Sequence, residues 1–298
     1  MLRLQARHFD MISNLPDAVK DEILMKLPTI DADAARSKVT MILLQLMLNH
    51  EGPVLKFTLS IPGFESCSII DNLILFLSRN NIEDFTLQMW EDHYSLPASI
   101  FKCQLLRHLQ LEGCSVSNTR ELKGFSRLTT LVLIDIIISD EALRSLISES
   151  PLLESLELRM THNLDIYIDA PNLRKFSFEG FARLMSLQLM PLVASVSIKL
   201  DHIGTEPCKE CSLTQFFQTM PAIEYLYLDY GMIKKFYMKE PKLCTTLVHL
   251  QYLDLNLMSF DEMEFQFTLC LLRSFPNLKS VEIEIKFFFL LFTGLRRT

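Results

Sequence analysis

The chain has 298 residues, is 49% hydrophobic and 22% charged, and carries a formal net charge of −7 with a pI near 5.6. That balance argues against nonspecific nucleic-acid binding, which needs a basic field around phosphates, and so much apolar surface excludes disorder. Fifty-three leucines against eight glycines and one tryptophan argue against glycine-rich phosphate loops and leave a packed, helical or repetitive protein.

Taken in chain order, Met1 to Phe9 holds no apolar signal segment. The seven cysteines (67, 103, 114, 208, 211, 244 and 270) therefore read as thiols of a reducing compartment, cytoplasm or nucleus. Residues 10–38 form a short helical segment. Asp17 is the expected N-cap of a helix from Ala18 to Lys26, with Val19, Ile23, Leu24 and Leu27 on one face. Leu27-Pro28 stops it, and Thr29-Ile30-Asp31 caps a second helix from Ala32 to Lys38. Residues 39–50 follow as an apolar linker helix, tolerable in water only if sandwiched. Neither Met41–Leu48 nor Phe287–Phe292 reaches the roughly 20 apolar residues of a membrane span, so no membrane partner is expected.

From 51 to 286 one template recurs, L-x-x-L-x-L with any large apolar residue allowed. Clean copies are Leu106/Leu109/Leu111, Leu128/Leu131/Leu133, Leu153/Leu156/Leu158, Ile223/Leu226/Leu228 and Leu250/Leu253/Leu255; looser ones begin at Val54, Ile82, Leu173, Val193 and Leu278. The steps between starts run from 20 to 30 residues, the spacing of leucine-rich repeats. A rival copy, Leu184/Leu187/Leu189, leaves the frame open around residues 181–200. The expected fold is thus an α/β solenoid, a horseshoe of about ten degenerate repeats. In each repeat a short strand sends its leucines inward and its intervening residues outward. Helices are expected in the returns after Ser68 (with Asp71 as capping partner), Ser139 and Ser212, the last two ended by Pro151 and Pro221.

No catalytic constellation emerges: G-x-G-x-x-G, P-loop, G-x-S-x-G and H-E-x-x-H patterns are all missing from the sequence, and the seven histidines are dispersed. Cys208-Lys-Glu-Cys211 lacks the second pair a zinc site needs and reads as a plain loop. Glu282 and Glu284 share a strand face, but a solvated sheet offers no cleft to shift their proton affinity. No enzyme activity, cofactor or metal is expected. Function then falls to the outward positions. Tyr225, Tyr227 and Tyr252 gather beside Asp229 and Asp254, aromatic anchors ringed by charge. These five are the candidate substrate-binding residues, for a protein partner of basic character. The tail 287–298 is apolar and carries no polar cap, an aggregation liability if exposed on a last repeat.

The segment ISNLPDAVKDEILMKLPTIDADAARSKV resembles an F-box through Leu15-Pro16, Ile23-Leu24, Leu27-Pro28 and Asp31. Residues 96–114, 125–158 and 170–180 resemble the repeats of plant F-box/leucine-rich-repeat proteins, the F-box/FBD/LRR-like group. The resemblance implies a substrate-recognition subunit of an SCF-type cullin–RING ubiquitin ligase. It carries adaptor contacts onto Leu15, Pro16, Ile23, Leu24, Leu27 and Pro28, by which a Skp-like adaptor would be bound and, through it, the cullin. The repeats would hold an unidentified protein substrate. Two departures point to a shortened chain: no tryptophan follows the F-box pattern, the only one being Trp90, and no clear FBD domain follows the repeats. A stand-alone repeat module that no longer binds the adaptor is the alternative; a small-molecule receptor is a third reading, for which no pocket is marked.

Overall fold

The computed structural model describes residues 32–61, 68–89, 93–116, 124–188, 190–200, 213–237, 247–258 and 261–285. Ten strands pair in parallel into one sheet: β1 (Lys56–Ile61), β2 (Asp84–Met89), β4 (His108–Glu112), β6 (Thr130–Ile134), β7 (Ser155–Ile168), β8 (Lys175–Leu187), β9 (Ser195–Leu200), β10 (Tyr225–Asp229), β11 (Tyr252–Leu257) and β12 (Ser280–Ile285). A short parallel pair, β3 (Tyr94–Ser95) with β5 (Cys114–Ser115), makes a second sheet beside them. Each main strand opens two residues after a template start, so all ten expected repeats are present in the expected frame.

The register explains the leucine excess. Leu59, Leu87, Leu111, Leu133, Leu158, Phe178, Ile198, Leu228, Leu255 and Ile283 face one another in a single column across all ten strands. Every member except Ile283 is buried. Each buried leucine contributes on the order of 2 kcal/mol, and each repeat leans only on its neighbours. At β12 both inward columns are open: Val281 and Ile283 are 39% and 41% exposed.

The three returns expected to be helical, after Ser68, Ser139 and Ser212, are helical. In chain order, α1 (Ala32–Asn49) precedes the sheet, and α2 (Ser68–Arg79), α3 (Asp140–Ser148), α4 (Leu213–Gln218), α5 (Tyr230–Tyr237) and α6 (Glu262–Ser274) lie between strands, with a 3-10 turn at Ala98–Lys102. The Ser139 cap forms as expected, its side chain accepting from the Ala142 N–H at 3.2 Å. Asp71, in the first turn of α2, accepts the Tyr94 hydroxyl. In β7 and β8, however, the return is a second strand leg. Leu164–Ile168 pairs in parallel with Ala182–Leu187 after a register shift at the corner.

Step length supplies the reason. A strand covers about 3.3 Å per residue and a helix only 1.5 Å, so the two 20-residue steps (153 to 173 and 173 to 193) cross the same distance with a strand. Leu164, Ile166 and Ile168 alternate inward with Asp165 and Tyr167, the period of a strand. The rival copy is thereby assigned: Leu184 and Leu187 sit on this second leg of β8, and the frame at Val193 holds.

The helix α1 runs unbroken through residues 38 and 39, where the sequence was divided into a segment and a linker. Leu43 is fully buried, with Val39, Leu46 and Met47 packed against the core, while Met41 and Leu48 are 57% and 80% exposed. The sandwiching expected of this helix is not met among the described residues; it is seated on one side.

Cys103, Cys114 and Cys270 are free thiols. Burial pushes both Cys103 and Cys114 up to about 12, so neither forms a thiolate near neutral pH. Iodoacetamide labelling at pH 8 followed by mass spectrometry is expected to leave both unmodified until denaturant is added. Rapid labelling of either in the native chain would contradict this packing.

Candidate functional site

The outward positions of the sheet form rows. Tyr225 lies opposite Tyr252, with Ser195 on one side and Ser280 on the other. Tyr227 lies opposite Asp254, between Ser197 and Glu282. Asp229 lies opposite Asn256, which lies opposite Glu284. Adjacent strands are about 4.8 Å apart, so the tyrosines and acids share one patch two strand spacings wide. The serines flanking the first row leave Tyr225 and Tyr252 standing above their neighbours. Tyr252 is 44% exposed; Tyr225 and Tyr227 are half-buried.

The tyrosine and aspartate residues singled out from the sequence do come together, with one reassignment. The Tyr225 hydroxyl donates to Asp254 Oδ2 at 2.6 Å. Burial raises the Tyr225 pKa, and the Asp254 carboxylate raises it further. Burial likewise raises Tyr227, aided by the charge of Asp229. Both rings stay neutral hydroxyls at any physiological pH. Asp229 is turned to the backbone: Oδ2 accepts from the Leu200 N–H and Oδ1 from the Met232 N–H, each at 3.0 Å. The second bond caps α5 at its N-terminus. Asp229 is therefore a structural residue that shapes the patch, not a contact aimed at a partner.

Glu282, Glu284 and Asn256 also belong to the patch; on sequence alone Glu282 and Glu284 were set aside as a solvated acidic pair, and none of the three was placed among the binding residues. Asn256 donates through Nδ2 to Glu284 Oε2 at 2.6 Å. The signal that could have found them is negative: the outward positions of the last three repeats contain no lysine or arginine.

The six F-box-like positions, Leu15, Pro16, Ile23, Leu24, Leu27 and Pro28, lie outside the described residues, as do Cys208, Cys211 and the tail 287–298. Among the described residues no group of three or more His, Cys, Asp or Glu is arranged to hold a metal. No helix among them is long and apolar enough to cross a membrane. The interior gap between the repeats around Leu109 and Phe125 is lined by apolar side chains such as Leu96, Phe101 and Leu146, with nothing to orient a polar ligand.

A family model described as "FBD-associated F-box protein At5g56370, LRR repeats" matches residues 70–283. The chain is 31% identical over 280 residues to the F-box/FBD/LRR-repeat protein At1g13570 of Arabidopsis thaliana, covering 91% of this chain and 67% of that relative. It is 30% identical over 149 residues to the F-box/LRR-repeat protein At3g03360 of the same plant, covering 48% of this chain and 30% of that relative. No solved structure matches it.

Proposed function

Because the chain belongs to the plant F-box/leucine-rich-repeat family, we propose that it is a substrate-recognition subunit of an SCF-type cullin–RING ubiquitin ligase. In this reading the N-terminal segment docks on a Skp-like adaptor through Leu15, Pro16, Ile23, Leu24, Leu27 and Pro28. An apolar helical face inserted into a groove is the mode such a segment suits. The outward face of the ten-stranded sheet holds a protein substrate. The chain supplies proximity and no bond-making chemistry; ubiquitin transfer belongs to the ligase. Cytoplasm or nucleus, where ligase and substrates meet, is the compartment that goes with this role.

The observation that carries the reading is the pairing of an F-box-like segment with one continuous sheet of ten repeats. Solenoids of this kind use extended polar faces to bind proteins. Co-purification of the full chain with the adaptor tests it. The natural sequence is expected to retain the adaptor, and Leu15→Ala with Pro16→Ala to lose it by tenfold or more, on the order expected when buried anchors are removed. Failure of the natural sequence to retain the adaptor overturns the proposal and leaves the stand-alone interaction module.

A further inference from the structure

We infer that the β10–β12 end of the sheet face docks a lysine- or arginine-bearing segment of the protein partner, an inference resting on the reading of this face as the substrate-holding surface. Charge is distributed along the face in two regimes. On the first legs of β1 to β9 the outward cations are Lys56, Arg159, Lys175 and Lys199, and the outward anions are Asp84, Glu112, Glu157 and Glu179. The two sets balance, and most of their members pair with each other. Lys56 bridges to Asp84 and Lys199 to Glu179. Arg159 meets Glu157 at 2.7 Å and Glu179 at 3.9 Å.

On β10 to β12 the outward charges are Asp229, Asp254, Glu282 and Glu284, with no cation among them. A tyrosine hydroxyl donates to Asp254 and an asparagine amide to Glu284, both neutral. Hydrogen bonds of that kind hold a carboxylate in place without cancelling its charge. The negative field therefore remains for an incoming group to meet.

Two of these strands also carry three outward tyrosines, Tyr225 and Tyr227 on β10 and Tyr252 on β11. Tyrosine faces attract cations as well as supplying apolar contact area, so ring and carboxylate select one chemistry. A second copy of this chain would bring the same acids against themselves, and a nucleic acid or an anionic lipid surface would be repelled for the same reason. A cationic protein segment fits both features.

Fluorescence anisotropy with the full chain tests the inference, using three labelled 12-residue peptides of equal length: one rich in lysine, arginine and leucine, one in which glutamate replaces the basic residues, and one of glycine and serine. The basic peptide alone is expected to bind, more weakly as salt rises. The isosteric triple variant Asp254→Asn, Glu282→Gln, Glu284→Gln is expected to weaken it by about tenfold, and Tyr252→Ala by about threefold or more. A control triple that removes the same charge from helices and helix ends, Glu141→Gln, Glu149→Gln, Glu262→Gln, is expected to change binding by less than about twofold. Equal binding of the acidic or neutral peptide, no binding of the basic one, or an equal loss in the control overturns the inference. Circular dichroism identical to the natural chain excludes unfolding as the cause of a loss. The Leu15→Ala, Pro16→Ala variant is expected to keep the basic-peptide selectivity, so failure of adaptor docking and failure of this surface are read separately.

Discussion

Gly180→Ala is expected to lower the stability of the folded chain by about 3 kcal/mol or more, combining strained backbone with a steric clash. Gly180 has φ +132°, a conformation that residues with a side chain rarely adopt, and it lies at the corner where β8 turns into its second leg. A Cβ there would stand 2.0 Å from the Met160 carbonyl oxygen, with that residue's carbonyl carbon and amide nitrogen at 2.9 and 3.0 Å. Backbone atoms cannot swing aside as a side-chain tip can, so the β7–β8 corner itself must shift. Gly113, at the matching corner of an earlier repeat, has φ +62° and places its Cβ 1.8 Å from the Met89 carbonyl oxygen. Gly52, by contrast, meets only the His50 ring at ordinary contact distance. Urea midpoints should fall strongly for Gly180→Ala and move little for Gly52→Ala, within about 0.5 kcal/mol. A Gly180→Ala chain as stable as Gly52→Ala would refute the corner packing.

Phe217→Ala is expected to cost about 3–5 kcal/mol, the range for truncating a fully buried aromatic. Phe217 lies edge-on to Phe216 at 5.4 Å and to Phe275 at 5.5 Å. Phe216 continues to Phe236 at 5.0 Å, and Phe236 stacks on Phe267 at 6.4 Å. These rings tie α4, α5 and α6 together behind β9 to β12. In a solenoid each unit leans on its neighbours, so the loss should appear first in the C-terminal repeats. Limited proteolysis should nick residues 213–285 before the β1–β6 region, and a urea midpoint loss under about 1 kcal/mol would show that the cluster is not the clamp it looks to be.

Much of this molecule was legible before any coordinates. The starts at 54, 82, 106, 128, 153, 173, 193, 223, 250 and 278 each became a strand two residues later, because a leucine column is specified by residue type and spacing alone. The Ser139 cap was legible for the same reason: capping is local chemistry within four residues. The strand legs of β7 and β8 were left unassigned although Leu164-Asp-Ile-Tyr-Ile168 alternates in plain view. The helix α6 was also missed. Its signal was present in Asp261, whose side chain accepts from the Glu264 N–H at 2.9 Å.

Asp229 shows where sequence reasoning about a site stops. Its column position was right, yet two oxygens on an outward strand residue can face a partner or turn back to the chain, and spacing does not distinguish the two. The following Met232, Ile233 and Phe236, all buried on α5, show that Asp229 ends a strand and begins a helix at once. Its carboxylate is accordingly spent on the Met232 and Leu200 amides.

The sequence by itself determined the number of repeats, the direction each strand residue faces and the identity of the exposed groups, since all three follow from periodicity along one chain. Only the tertiary structure decided which side chains from different repeats share a partner. Tyr225 and Asp254 are 29 residues apart and meet because parallel strands in register bring them within hydrogen-bond distance. Glu179 meets both Arg159 and Lys199 for the same reason. The balance of charge on one part of the sheet and its excess on another is thus a property of the stacking, which places every outward residue between two neighbours from other turns of the coil.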